Sequence, residues 1–309
     1  MKKSAKPILP ILCLLLLLAR PGLALQGASQ GLALWGSTVL PALLPFMLCT
    51  GVIVALDGVE LLTRPISPLL RRLLGLSPSG AFVLVSGLLC GYPMGAKTDS
   101  DFLTSGRISP GEARLLLAVC NHPSPMFLAG YVVNRLENAG WPEHTAAFLL
   151  WAVYLPLIPM ALLARRLYGP LNGNPLPLSP AVSAAPFSFD SHIMSCFETM
   201  VKIGGYIMLF SIAARYAAGL PWGSLTLKAA FLGFLEITTG IQAISQAVPG
   251  PQGLCLAAAA AAFGGLSGIF QTKSVLARPL LSIGPYVLWK LLHGALSAGL
   301  MLLLLCLGA

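Results

Sequence analysis

Charge is what this sequence has least of. Asp, Glu, Lys and Arg together make up 9% of its 309 residues, against 56% hydrophobic residues, whereas a soluble domain is about a quarter charged. A water-soluble globule of this size cannot cover its surface with so few charges, so that class is excluded. Acidic residues are scarcer still, 10 against 19 basic ones, which leaves a net charge of +9. The basic residues stand in ones and twos at the ends of apolar runs, without a basic face or an alternation with aromatics, so nucleic acid is not an expected partner. The seven cysteines (13, 49, 90, 120, 196, 255 and 306) lie mostly inside apolar segments. They show neither metal-ligand spacing nor a disulfide framework and read as small buried hydrophobes. No nucleophile stands beside a base. The run Gly91-Tyr-Pro-Met-Gly-Ala-Lys97-Thr98 misses the phosphate-binding loop because Ala96 occupies its second glycine position. Neither an enzyme nor a bound cofactor is expected.

What the chain has in abundance is apolar sequence in runs approaching the roughly 20 residues that carry a helix across a ~30 Å hydrocarbon core. The expected class is an all-α polytopic membrane protein, multi-pass in the cell membrane. Lys2-Lys3 followed by 8–19 reads as an uncleaved first span, because Arg20-Pro21 interrupts the run and no small-x-small site follows. Residues 32–56 form a second span bent by Pro41 and Pro45, and 59–76, with Glu60, Arg64, Arg71 and Arg72 among leucines, reads as a helix on the membrane surface. Residues 81–96 are apolar but broken at Gly91-Tyr-Pro-Met-Gly95. A polar stretch then runs through Arg107, where Asp99 and Asp101 are expected in a solvated loop. Residues 115–133 are interrupted at Asn121-His-Pro-Ser-Pro125, and 146–163 span cleanly. After a Pro- and Gly-rich connection come 203–218, 225–248, 254–270 and 283–307, with breaks at Glu236-Ile-Thr-Thr-Gly240 and Gly264-Gly-Leu-Ser-Gly268.

The two halves can be laid on each other, 91–95 on 236–240 and 124–127 on 267–270, at nearly constant spacing. Each half reads as span, broken hairpin, broken span, span. If the basic clusters are cytoplasmic and each hairpin enters and leaves on one side, the first half begins outside and the second inside. Two inverted repeats follow, each with a re-entrant helical hairpin and a broken transmembrane helix, a construction common among secondary transporters. The organisation expected is an N-terminal transmembrane span at 1–30, a first repeat at 31–168, a connection at 169–198 and a second, inverted repeat at 199–309.

A helix that stops inside a bilayer exposes N–H and C=O groups at a cost of several kcal/mol each if they stay dry. Broken helices gathered round a wet cavity remove that cost, and their N-terminal ends attract anions. Candidate solute-binding residues are those in and beside the breaks: Gly91, Tyr92, Pro93, Gly95 and Lys97; Asn121 and Ser124; Glu236, Thr238, Thr239 and Gln242; Ser267 and Gln271. Glu236, flanked by Leu235 and Ile237, is the strongest single residue, because an ionisable group at membrane depth is a functional candidate by default.

At these residues the chain resembles a known family. Gly91-Tyr-Pro-Met-Gly-Ala-Lys97, preceded by Leu40-Pro-Ala-Leu-Leu-Pro-Phe46, is similar to the YlbJ family of sporulation integral membrane proteins, within the wider group that carries the nucleoside-recognition Gate domain. Glu236-Ile-Thr-Thr-Gly240 and Phe263-Gly-Gly-Leu-Ser267 with Gln271 resemble its second-half motifs in the same order, and the resemblance covers roughly residues 30 to 300. It implies a fold related to the concentrative nucleoside transporters. It also implies passage of a small polar or anionic solute across a mother-cell or forespore membrane, with dipicolinate the leading candidate. Alternatives on the same scaffold are a nucleoside or nucleobase transporter, or a non-transporting sporulation membrane scaffold. The partners expected are the lipid bilayer and the solute. A coupling cation (Na+ or H+), a homo-oligomer and sporulation membrane partners are left open.

Overall fold

A computed structural model describes residues 7–141, 145–169, 187–277 and 279–308. Among the described residues the chain is helical throughout, with no strand. Five helices among the described residues are long and apolar enough to cross a membrane: Pro21–Ala55, Ala147–Tyr168, Phe189–Ala218, Gly250–Val275 and Ile283–Leu307. A sixth is reached if Ser67–Leu74 and Pro78–Cys90, which meet at 99°, are one bent span. Large apolar side chains such as Trp151, Leu209, Leu288 and Leu302 lie on the outside of these helices, a surface suited to lipid. The chain is a multi-pass integral membrane protein.

The amino-terminal segment differs from the sequence reading. Ile8–Ala19 is a separate helix of 12 residues, about 18 Å at 1.5 Å per residue and short of a ~30 Å core. Arg20 leaves the helical conformation, and Pro21, which has no N–H to lose, starts the next helix. That helix continues to Ala55, so the expected boundary at residue 30 falls inside it. Ahead of Pro41 it widens into a π-helical turn at Trp35–Val39, where the Leu40 N–H bonds the Trp35 carbonyl. Such turns occur where the ordinary ladder is interrupted.

Several helix starts are written plainly in the chain. Ser77, Ser109 and Ser124 each stand before a proline and accept a hydrogen bond from the backbone N–H three residues on, at 3.0, 3.1 and 3.2 Å. Serine at the cap followed by proline at the first helical position is a strong helix-start signal. Glu112 reinforces the first of these starts, its Oε1 accepting from the Ser77 N–H at 2.7 Å and hydroxyl at 2.9 Å. Ser188 caps Phe189–Ala218, so the expected connection ends ten residues before position 198. Residues 170–186 of that connection, Lys2, Lys3, Lys6 and Arg278 lie outside the described residues.

In the first half, Pro78–Cys90 folds back at 91–93 into Met94–Thr104, and Pro110–Val119 stops before Pro125–Phe127 resumes and passes through a second π-helical turn, Leu128–Val133. In the second half, Leu225–Leu235 folds back at Glu236 into Ile237–Ala247, and Gly250–Phe263 is separated from Gly265–Val275 by Gly264 alone. The region after Gly95 corrects the expectation of a solvated loop. It is the helix Met94–Thr104, packed between the other hairpin arm and the broken helix, and Asp99 on it is wholly buried. Both Asp99 carboxylate oxygens lack a hydrogen-bond partner among the described residues. Asp101, on the outer face, pairs with Lys97 at 2.8 Å. Small residues bring the long helices together: a Cβ added at Gly27 would lie 2.7 Å from Ile212 Cα, and one at Gly31 2.8 Å from Met208 Cα. This Gly-x-x-x-Gly spacing permits close backbone approach between membrane helices.

Candidate solute site at the helix breaks

The four breaks touch one another. Gly87 and Gly95 form a groove that holds the Cys120 carbonyl, since a Cβ at either position would lie 2.1 Å from that oxygen. Gly91, at φ +79°, is pressed against the Ser124 N–H, a conformation and an approach open to glycine alone. The Tyr92 N–H donates to the His122 carbonyl at 2.9 Å, and the Tyr92 ring lies against Gly264 and Gly268. Gly265 in turn packs on the backbone of 235–237, and the Tyr131 hydroxyl donates to the Thr238 carbonyl at 3.2 Å.

Glu236 occupies the third break and is 2% exposed. Its carboxylate caps Ile237–Ala247, accepting from the Thr238 N–H at 3.1 Å, the Thr239 N–H at 2.8 Å and the Thr239 hydroxyl at 2.9 Å, with the Thr238 hydroxyl as a fourth donor. A carboxylate at a helix N-terminus is favoured by the helix dipole. Here it also satisfies amides that would otherwise sit dry. Asn121 in the second break is likewise fully engaged. Its Oδ1 accepts from the Ala96 N–H at 3.3 Å, and its Nδ2 donates to the Thr272 hydroxyl at 2.8 Å and the Tyr286 hydroxyl at 2.7 Å. One side chain thereby joins the first hairpin, both broken helices and the last span.

Between these groups and the first long helix lies a cavity of about 330 Å³. Tyr92, Ser124, Tyr131, Glu236, Thr238 and Gln271 supply its polar wall, and Leu34, Leu43, Phe127 and Ile207 its apolar wall. Both π-helical turns border it, through Ser37 and Thr38 on one and Gly130 and Tyr131 on the other. Of the expected site residues, Tyr92, Ser124, Glu236, Thr238 and Gln271 are brought together here. Gly91 and Gly95 serve the packing of the break, Pro93 precedes Met94–Thr104, and Ser267 accepts from Gln271 Nε2 at 3.0 Å. Asn121 is committed to its network. Thr239 and Gln242 line a separate cavity of about 260 Å³ with Gln30 and Arg215. Lys97 opens onto another of about 600 Å³, beside Asp101, Arg107 and His192.

Sequence reasoning took 283–307 as a span but passed over its polar residues. Tyr286, Lys290, His293 and Ser297 are all buried and recur at helical spacing along one face of Ile283–Gly308. Lys290 Nζ meets the Asn121 carbonyl at 3.3 Å and stands 5.7 Å from the centre of the Tyr92 ring, and His293 Nε2 lies 2.7 Å from the Val153 carbonyl. The signal was present as polar residues four, three and four apart within an apolar run, which marks a polar stripe on a membrane helix.

No family model matches the chain, and no solved structure matches it. The sporulation integral membrane protein YlbJ of Bacillus subtilis (strain 168) is 25% identical over 326 aligned positions, which cover 93% of this chain and 79% of that protein. With similarity running along nearly its whole length, this chain of membrane-spanning helices is a distant homologue of sporulation integral membrane protein YlbJ.

Proposed function

We propose that the chain is a sporulation-linked transporter or facilitator that passes a small polar or anionic solute across a membrane, with the cavity at the helix breaks as the solute site. The observation that carries this reading is that three of the four breaks, with Gln271 on the helix after the fourth, line one cavity of about 330 Å³, within the size range of small-molecule sites. Breaks that served only to kink single helices would have no reason to converge. The repeated order of elements, together with the placement of the basic residues, supports a second half inverted relative to the first and two re-entrant hairpins. That construction suits alternating access around a central site.

Dipicolinate is the first solute to assay, on the strength of the relationship to a sporulation protein. A neutral nucleoside is the second reading. It is favoured by a cavity wall that contains the Glu236 carboxylate and neither Lys nor Arg. Proteoliposomes containing only this protein test both: uptake of labelled dipicolinate or uridine above that of empty liposomes is the expected result. Absence of flux for either solute, with the protein folded and inserted, would replace the transporter with a membrane scaffold.

A further inference from the structure

We propose that Asp99 is a proton-binding site inside the first hairpin, and that the proton it carries couples solute passage to the pH difference across the membrane. The inference rests on the transport reading above and adds its driving force. Among the described residues three carboxylates are buried: Asp99, Glu112 and Glu236. Two of them have donors. Glu112 accepts from the Ser77 N–H and hydroxyl, and Glu236 from two amides and two hydroxyls. Asp99 is 0% exposed, and neither of its oxygens meets a hydrogen-bond partner among the described residues. Lys290, a buried cation, bonds the Asn121 carbonyl instead. An ionised carboxylate without donors or a counter-charge is strongly disfavoured away from water, and binding a proton removes the charge.

The surroundings of Asp99 favour a proton over a metal ion. Along Met94–Thr104, Gly95, Ala96, Phe102 and Leu103 stand three or four positions from it and share its face. Ala96, Phe102 and Leu103 belong to one buried cluster with Leu115 and Leu116 of Pro110–Val119, and Gly95 closes on the Cys120 carbonyl. A hard metal ion takes roughly six or more oxygen ligands, and these four neighbours carry no side-chain oxygen. Few titratable groups stand on the helices packed against this arm. Glu112, on Pro110–Val119, acts on Asp99 with the same sign of charge, which opposes a second anion beside it. Cys120 follows that helix, and Arg114 on it is exposed. Cys90, on Pro78–Cys90, belongs to the separate cluster of Leu43 and Met94. Lys273, on Gly265–Val275, stands over the Phe270 ring at 5.3 Å. The opposite face of the arm, through Lys97 and Asp101, borders the cavity of about 600 Å³. A turn of the arm about its axis would bring Asp99 to that chamber. Water there takes the proton as hydronium and leaves the carboxylate, and the reverse turn follows reprotonation.

The test uses the full chain reconstituted in liposomes, with Asp99→Leu and Asp99→Asn beside wild type. The infrared difference spectrum of wild type minus Asp99→Leu at neutral pH should contain the carbonyl stretch of a protonated carboxyl. A carboxylate band in its place, or no band, would overturn the proton site. Leucine is close to the neutral acid in size and has no polar atom to satisfy, so Asp99→Leu should unfold at or above the wild-type temperature. Unfolding well below it would show a carboxylate held by partners and count against the proton. Uptake of labelled dipicolinate and uridine is then followed with the pH gradient directed inward, outward or absent, against empty liposomes. Wild-type uptake should differ between the two gradient directions, and both variants should lose that difference. Variants that keep it, or that carry no solute at any pH, would overturn the coupling. Two levels separate here. Wild type that moves neither solute sinks the transport reading and the coupling together, while the infrared band still decides the proton site. Wild-type uptake that ignores the gradient leaves the transporter standing and sinks the coupling alone.

Discussion

Replacing Glu236 with alanine removes the cap of Ile237–Ala247 at the point where four helix breaks meet. Two backbone amides, Thr238 and Thr239, lose their acceptor, and two threonine hydroxyls lose theirs. The hydroxyls can rotate to another acceptor, but the amides cannot. Two buried N–H groups left unsatisfied at about 1–3 kcal/mol each predict a loss of about 2–6 kcal/mol, more than the ~1 kcal/mol of an ordinary exposed cap. Glutamine keeps one carbonyl oxygen and should cost roughly half as much. The readouts are thermal unfolding in detergent and hydrogen exchange at residues 237–240. Alanine should lower Tm by several degrees and speed exchange at Thr238 and Thr239, with glutamine intermediate. Wild-type Tm and exchange in Glu236→Ala would refute the capping argument. If Glu236→Gln instead keeps most of its stability yet abolishes flux, the carboxylate charge serves solute or cation coupling beyond its cap.

Four further outcomes follow from the packing. Gly95→Ala places a Cβ 2.1 Å from the Cys120 carbonyl, a backbone atom that cannot step aside, so folded, monodisperse protein should be lost. Gly205→Ala, with open space at its Cβ, should behave as wild type in the same chromatographic assay. Gly130→Trp projects an indole from a position with nothing within 4 Å of its Cβ, on the wall of the 330 Å³ cavity. Folding should survive and flux should fall to background in proteoliposomes. Gly27→Val would set side-chain atoms against the Ile212 backbone, 2.7 Å from the first added carbon. It should separate Pro21–Leu34 from Phe189–Ala218 and lower Tm, whereas normal stability would deny that this contact holds the long helices together.

The sequence by itself determined the class of the molecule, because scarcity of charge and runs of apolar residues are properties each segment carries alone. It also placed the breaks to within a few residues, from clusters of glycine, proline and polar residues, whereas single residues such as Gly27, Pro45 and Gly205 sit inside continuous helices. The Ser-Pro pairs at 77, 109 and 124 carried helix starts that needed no tertiary information. What a polar side chain at a break would face was decided elsewhere. Asp99 looked like a loop residue by its polar neighbours, and the return arm of a hairpin buried it. Asn121 looked available for solute and is spent on Ala96, Thr272 and Tyr286, which come from three other segments. Lys97 and Lys290 were each one lysine near an apolar run. Folding set the first beside Asp101 and the second over the ring of Tyr92, with no carboxylate paired to it among the described residues. Hydropathy and helical period are local sums along one segment, whereas the partner of a buried charge is fixed by which helices pack together, and only the tertiary structure decides that.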